Sequence, residues 1–251
     1  MKAKIHISEN QTLWVSDIIT GIVQSSKRAI AQRGKFTLVL SGGSTPSPVY
    51  AALGQLSEEM DWKNIYIFWG DERCVPPDHP DSNFNSANHT LLDHAAIPAE
   101  NVFRMQGEVD PAKAANNYAQ TIDSFFGTAA KSFDLILLGL GEDGHTASLF
   151  PNTTALKVTD ELVVENQHPT SKIWRITLTY PALSTAREIF FLVKGKSKAE
   201  IIAEVLENTS TPPLLPAKKL LNMKDTIWYL DTEAAEHIKN NPNLEIITND
   251  H

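Results

Sequence analysis

The apolar run Phe133-Asp134-Leu135-Ile136-Leu137-Leu138 leads directly into Gly139-Leu140-Gly141-Glu142-Asp143-Gly144-His145. A short, nearly continuous apolar run reads as a buried strand. Three glycines within the next six residues let the backbone turn sharply and come close to a ligand. An acid, Asp143, and an imidazole, His145, stand two residues apart on that turn. Histidine gives or takes a proton near neutral pH without a large pKa shift. An open α/β sheet places its chemistry at strand ends of this kind.

Gly139, Gly141 and Gly144 also satisfy G-x-G-x-x-G, the dinucleotide fingerprint. That fingerprint needs a long helix after the glycines, within a βαβ unit of about 30 residues. Pro151 arrives seven residues after Gly144, too soon for such a helix in one piece. A nicotinamide or flavin site is therefore not expected.

The rest of the chain alternates between the two periodicities. Helices are predicted over residues 10–34, ending at Met60 after Leu53, from Asp81-Ser82-Asn83 to about Asp93, over 111–126, after Lys198, and after Leu230 with Asp231 or Thr232 as cap. Strands are predicted at 36–40, 65–69, 162–164, 172–179, 188–193 and 226–230, with an edge strand at 244–247. Thr211-Pro212-Pro213-Leu214-Leu215-Pro216 reads as a rigid loop. This alternation implies an α/β fold: a parallel-rich open sheet with helices on both faces, Rossmann-like in a modified form. No linker, repeat or composition shift divides residues 1–251, so one domain is expected.

Composition narrows the function. The net charge is -8, which argues against a nucleic-acid partner but leaves room for a small basic site that holds an anionic metabolite. The single cysteine, Cys74, allows no internal disulfide and fits a reducing compartment. The first residues lack the apolar block of a signal peptide, and no apolar run approaches a membrane span. A cytoplasmic protein without a membrane partner is expected. No pattern specifies an oligomeric state.

Three further loops carry polar groups. Ser41-Gly42-Gly43-Ser44-Thr45-Pro46 follows a strand; it is either an anion cradle at a helix start or an ordinary strand-to-helix turn. Gly70-Asp71-Glu72-Arg73-Cys74-Val75-Pro76 ends the next strand; its charges are either functional or a surface cluster. Cys74 is read as a bystander, and His89 and His94, five apart, as surface or structural residues. On the strand through Arg175, alternation sets Arg175, Thr177 and Thr179 on one face, lining a polar pocket or facing solvent. Lysines 194, 196 and 198 crowd a helix start, an arrangement that makes sense if they hold an anion.

Together these loops resemble the 6-phosphogluconolactonase family. The matching blocks are the Ser41 to Pro46 loop, the Gly70 to Pro76 loop, Asp81-Ser82-Asn83, the stretch from Gly139 to Pro151, Arg175-Ile176-Thr177-Leu178-Thr179, and Gly195-Lys196-Ser197-Lys198-Ala199. Ser184 departs from the pattern, where the family often has Asn. The resemblance implies the fold of the glucosamine-6-phosphate deaminase and ribose-5-phosphate isomerase group. It implies hydrolysis of a small-molecule phosphosugar lactone, 6-phospho-D-glucono-1,5-lactone, in the oxidative pentose phosphate pathway, with no metal or organic cofactor. His145 would be the general base, Asp143 its orienting partner, and Arg73 the group that stabilises the oxyanion or positions the lactone. Gly43, Ser44, Thr45, Arg175 and Lys198 would hold the phosphate, while Asp71 and Glu72 would touch substrate or brace Arg73.

Two rivals remain. Aminosugar-phosphate deaminases resemble the chain in the Asp-Gly-His turn but carry a catalytic Glu shortly after it, in Asn-Glu-Pro. Here that place reads Leu149-Phe150-Pro151, and phenylalanine cannot relay a proton. A sugar-phosphate-binding protein without turnover would share the pocket, but it would not need a base beside the carbonyl.

Overall fold

Every residue of strands β2 (Phe36–Leu40) and β5 (Leu135–Leu138) is buried. Such strands are covered on both faces, which is why they read as unbroken apolar runs rather than alternating ones. The computed structural model describes residues 3–56, 58–207, 215–239 and 244–247. Its main sheet is seven-stranded, in the order β10-β1-β9-β8-β5-β2-β3. The other members are β1 (Ala3–Ser8), β3 (Ile65–Trp69), β8 (Glu188–Val193), β9 (Thr226–Asp231) and β10 (Leu244–Ile247). All its pairings are parallel.

Helices flank this sheet. Helix α1 (Gln11–Arg33) starts where the Asn10 side chain accepts from Leu13 N–H and stops at Gly34, whose φ of 73° suits glycine. Its buried stripe of Trp14, Ile18 and Ile22 packs against β1, β9 and β2. Helix α4 (Pro111–Phe126) opens with Pro111 under the Asp110 cap and closes at Gly127. Its Tyr118 hydroxyl accepts from Trp69 N–H at 2.8 Å, tying the helix to the end of β3. Among the described residues no helix is long and apolar enough to cross a membrane.

The strand order positions the site. From β2 the chain moves outward to β3, then returns to the other side of β2 as β5, and continues through β8 to β9. The direction of travel reverses between β2 and β5. Open α/β sheets bind ligands in the crevice at such a reversal, beyond the carboxyl ends of the strands. The loops that leave β2 and β5 there are Ser41 to Pro46 and Gly139 to His145.

Several expectations are corrected. The strands near 162–164 and 172–179 do not join the main sheet. As β6 (Val163–Gln167) and β7 (Trp174–Leu178), they form an antiparallel hairpin, and β4 (Asp71–Arg73) pairs with β7 to complete a three-stranded sheet. The helix expected to run on to Met60 ends as α2 (Ser47–Leu53). Beyond it the chain turns, and Leu56 gives its carbonyl to the Trp62 indole instead of to a further helical turn. After β9 there are successive turns rather than a helix, because Asp231 divides its carboxylate between Ala234 N–H and Gly195 N–H. The N-terminal strand β1 carried no prediction. Residues 211–214 of the proline-rich loop lie outside the described residues, and Pro216 opens α7 (Pro216–Leu221).

The helix expected from Asp81-Ser82-Asn83 begins at Ser82, whose side chain caps α3 (Asn83–Ala87). A π-helical turn (Asn88–Leu92) continues it. His89 and His94 are exposed there, and His89 faces Asp93 at 3.3 Å. The helix after Lys198 is α6 (Ala199–Glu207), and a short α5 (Tyr180–Ser184) follows β7.

Candidate active site

The turn after β5 is built from backbone up. Gly144 takes a φ of 76°, a left-handed conformation that favours glycine. Its N–H donates to Gly141 O, and Gly141 N–H donates to His145 O. The turn closes so tightly that a Cβ on Gly141 would lie 2.1 Å from His145 Nδ1 and 2.7 Å from Asp143 Oδ1. Glycine is therefore required where the acid and the imidazole meet. No full-length helix follows, in keeping with Pro151.

His145 Nδ1 stands 2.5 Å from Asp143 Oδ1, which also accepts from His145 N–H at 3.1 Å. Burial alone would raise the Asp143 carboxyl, but the hydrogen bonds and charge of His145 outweigh it and hold the pKa at about 2. Asp143 is thus an ionised acceptor, and His145 Nδ1 is the donor to it. The edge of the ring packs against Phe150, centroids 4.8 Å apart.

His145 opens onto a cavity of about 280 Å³ at the carboxyl ends of β2, β3, β5 and β8. Of the residues singled out from sequence, His145, Arg73, Asp71, Thr45 and Lys198 line it. Gly43 and Ser44 are exposed beside it, and Tyr50 clamps the loop through Ser41 N–H at 3.0 Å and Ser41 O at 2.8 Å. Pro46, not Ser44 or Thr45, takes the cap position of α2, and it makes no side-chain cap bond.

Arg73 and Arg175 stand directly opposite each other in the β4–β7 pair, as do Asp71 and Thr177. Arg175 is outside the cavity lining but half-buried, and burial followed by the charge of Arg73 depresses its pKa. Arg73 Nη1 donates to Asp81 O at 2.5 Å. Neither Thr177 nor Thr179 lines this cavity. Thr177 Oγ1 accepts from Ser148 N–H, and Thr179 Oγ1 donates to Glu161 O.

Glu72 faces away from the cavity and is 2% exposed. It accepts from Arg73 N, Asn83 N, Phe84 N and the Ser82 hydroxyl, at 2.7 to 3.1 Å. Burial pushes its carboxyl up, against the pull of those N–H groups. It braces the start of α3 and the backbone that carries Arg73. Asp71 does reach the cavity, where its Oδ2 accepts from Ser148 Oγ at 2.6 Å. Burial pushes the Cys74 thiol up to about 11, the opposite of an activated nucleophile.

Ser148 and Asn83 carry no site role in the sequence reading, and Lys194 enters it only as one of the lysines at a helix start that could hold an anion. Ser148 orients Asp71; Asn83 lines the cavity and donates from Nδ2 to Asp71 O at 2.8 Å. Lys194 also lines it, its ammonium donating to Gln11 Oε1 at 3.1 Å. The Ser148–Asp71 contact spans 77 residues, a separation at which no local spacing signal exists.

Residues 9–228 match a family model described as glucosamine-6-phosphate isomerases/6-phosphogluconolactonase. A 6-phosphogluconolactonase of Synechocystis sp. is 38% identical over 243 residues, covering 95% of this chain and 100% of the relative. The crystal structure of a 6-phosphogluconolactonase from Thermotoga maritima superposes with a TM-score of 0.80 at 33% identity, covering 92% of this chain and 100% of that one. A monomeric glucosamine-6-phosphate deaminase gives 0.77 at 24% identity, covering 95% and 100%, and so shares the fold.

Proposed function

The chain belongs to the glucosamine-6-phosphate isomerase/6-phosphogluconolactonase family, and from that premise we infer that it is a 6-phosphogluconolactonase. It hydrolyses 6-phospho-D-glucono-1,5-lactone to 6-phosphogluconate in the oxidative pentose phosphate pathway. The observation that carries this reading over the deaminase one is the environment of His145. Its Nδ1 is tied to Asp143 at 2.5 Å, and its other neighbour is Phe150, which relays no proton.

The lactone carbonyl is already electrophilic, so the protein has two tasks. It must take a proton from water as the oxygen attacks C1, and it must stabilise the charge that develops on the carbonyl oxygen. We assign the first to His145 Nε2, with Asp143 holding Nδ1–H and stabilising the imidazolium. We assign the second to Arg73, which lines the same cavity. When the tetrahedral intermediate collapses, the bond from C1 to the ring oxygen breaks. The imidazolium returns its proton to that oxygen, and the new carboxylic acid ionises.

The phosphate end belongs, in this reading, to Gly43, Ser44, Thr45, Arg175 and Lys198. Remote binding of the phosphate positions the reacting carbonyl against the base. The small-molecule lactone is the partner this assignment requires, acting in the cytoplasm on a single domain. Incubation with freshly generated lactone and, separately, with glucosamine 6-phosphate distinguishes the readings. Accelerated lactone hydrolysis without ammonia release supports the lactonase; ammonia release would replace it with the deaminase.

A further inference from the structure

His168 sits in the turn of the β6–β7 hairpin, the strand pair that delivers Arg175. Its ring packs against Phe150, centroids 4.7 Å apart, so Phe150 lies wedged between His168 and His145. Its Nδ1 accepts from both Thr170 N–H and Ser171 N–H, at 3.2 and 3.1 Å. An imidazole nitrogen that accepts is unprotonated, so the proton is on Nε2, which is a donor. The hairpin turn is fixed from both sides, with His168 N–H donating to Ile173 O and Lys172 N–H donating to His168 O.

The charges around this ring are mostly of one sign. Burial, then Arg175 on β7 and His145 on the β5 turn, with Arg73 on β4, depress the His168 pKa, and Asp143 alone among these neighbours raises it. Like charges directly opposite across a sheet, as Arg73 and Arg175 are, destabilise it unless something compensates. An anion among Arg73, Arg175 and His168 removes that repulsion.

We propose that His168 is a further phosphate-contacting residue, donating Nε2–H to the phosphoryl group beside Arg175, with Phe150 as the spacer that keeps it apart from the base. This rests on the lactonase reading only for the identity of the anion. Nδ1 already accepts two backbone N–H bonds, so the ring binds as a neutral imidazole with its proton on Nε2. The bond from Nε2–H is charge-assisted through the phosphate that accepts it.

The test separates His168 from the reaction. Histidine ring resonances are titrated by NMR with and without sulfate, which stays dianionic throughout the histidine range. His168→Asn identifies its signal among the eight histidines. The expected result is that His168 keeps the neutral Nε2–H tautomer, that its ring resonances shift on adding sulfate, and that the variant binds sulfate more weakly. In turnover, His168→Asn is expected to raise KM about five- to tenfold, the size of one charge-assisted bond, with kcat within about twofold. His168 ring resonances that do not move at saturating sulfate, no sulfate binding at all, or an unchanged KM would each overturn the proposal. The titration stands even if the protein hydrolyses no lactone, so failure of the inference is distinguishable from failure of the proposed function.

Discussion

Arg73 faces Arg175 across the β4–β7 pair, one guanidinium-bearing residue directly opposite another. The first lines the cavity and the second stands just beside it. Two cations so placed repel each other, and a dianionic ligand between them relieves the repulsion. The proposed function gives the two different roles: one arginine for the developing oxyanion, the other for the phosphate.

Arg175→Ala should therefore weaken binding more than chemistry. The expected change is a KM raised about 10- to 100-fold, corresponding to loss of a charge-assisted contact, with kcat nearly unchanged. Steady-state kinetics on freshly generated lactone checks it. An unchanged KM would remove Arg175 from the phosphate site.

Gly141→Ala should act on the opposite parameter. The new Cβ would lie 2.1 Å from His145 Nδ1, so the imidazole must move away from Asp143. A displacement of about 1 Å from productive geometry costs on the order of 100-fold in rate. Loss of kcat with a retained circular dichroism spectrum is the expected outcome.

These elements differ in how legible they were. Strands β2, β5 and β8 were readable because both faces are buried and their apolar runs are unbroken. Helices α1 and α4 were readable because Asn10, Gly34, Pro111 and Gly127 punctuate them. The His145–Asp143 pair was visible because both residues belong to one turn. The pairing of β4 with β7 was not, since it joins Arg73 to a residue about a hundred positions later, and no local period encodes such a contact. Glu72 was ambiguous for the same reason. A carboxylate that caps a helix starting at Asn83 looks, in sequence, like one aimed at substrate.

Glu72→Gln should destabilise the protein. The carboxylate accepts four hydrogen bonds in a buried position, and an amide nitrogen placed there faces donors. The expected cost is about 2–4 kcal/mol, read as a lowered midpoint in denaturant unfolding. Because Arg73 rides on the same segment, KM or kcat should worsen as well, even at temperatures where the variant is folded.

Asp143 carries a pH signature. Its folded pKa of about 2 lies below the ordinary 3.8. A depressed carboxyl contributes stability that is present above the unfolded value and is lost as pH falls through the folded one. Melting temperatures of wild type and Asp143→Asn should therefore differ most above about pH 4 and converge towards about pH 2. The side chain is half-exposed, so the difference should be small. Above that window Asp143 stays ionised, so the acid limb of the activity profile should belong to other groups.

The central claim is that His145 is the base that activates water. Hydrolysis of freshly generated 6-phosphogluconolactone is measured with wild type and with folded His145→Ala, against the spontaneous background. The account expects a fast wild type and a variant slowed by about 10²- to 10⁴-fold, the usual worth of a general base, so that it runs near background. A His145→Ala enzyme as fast as wild type would contradict it.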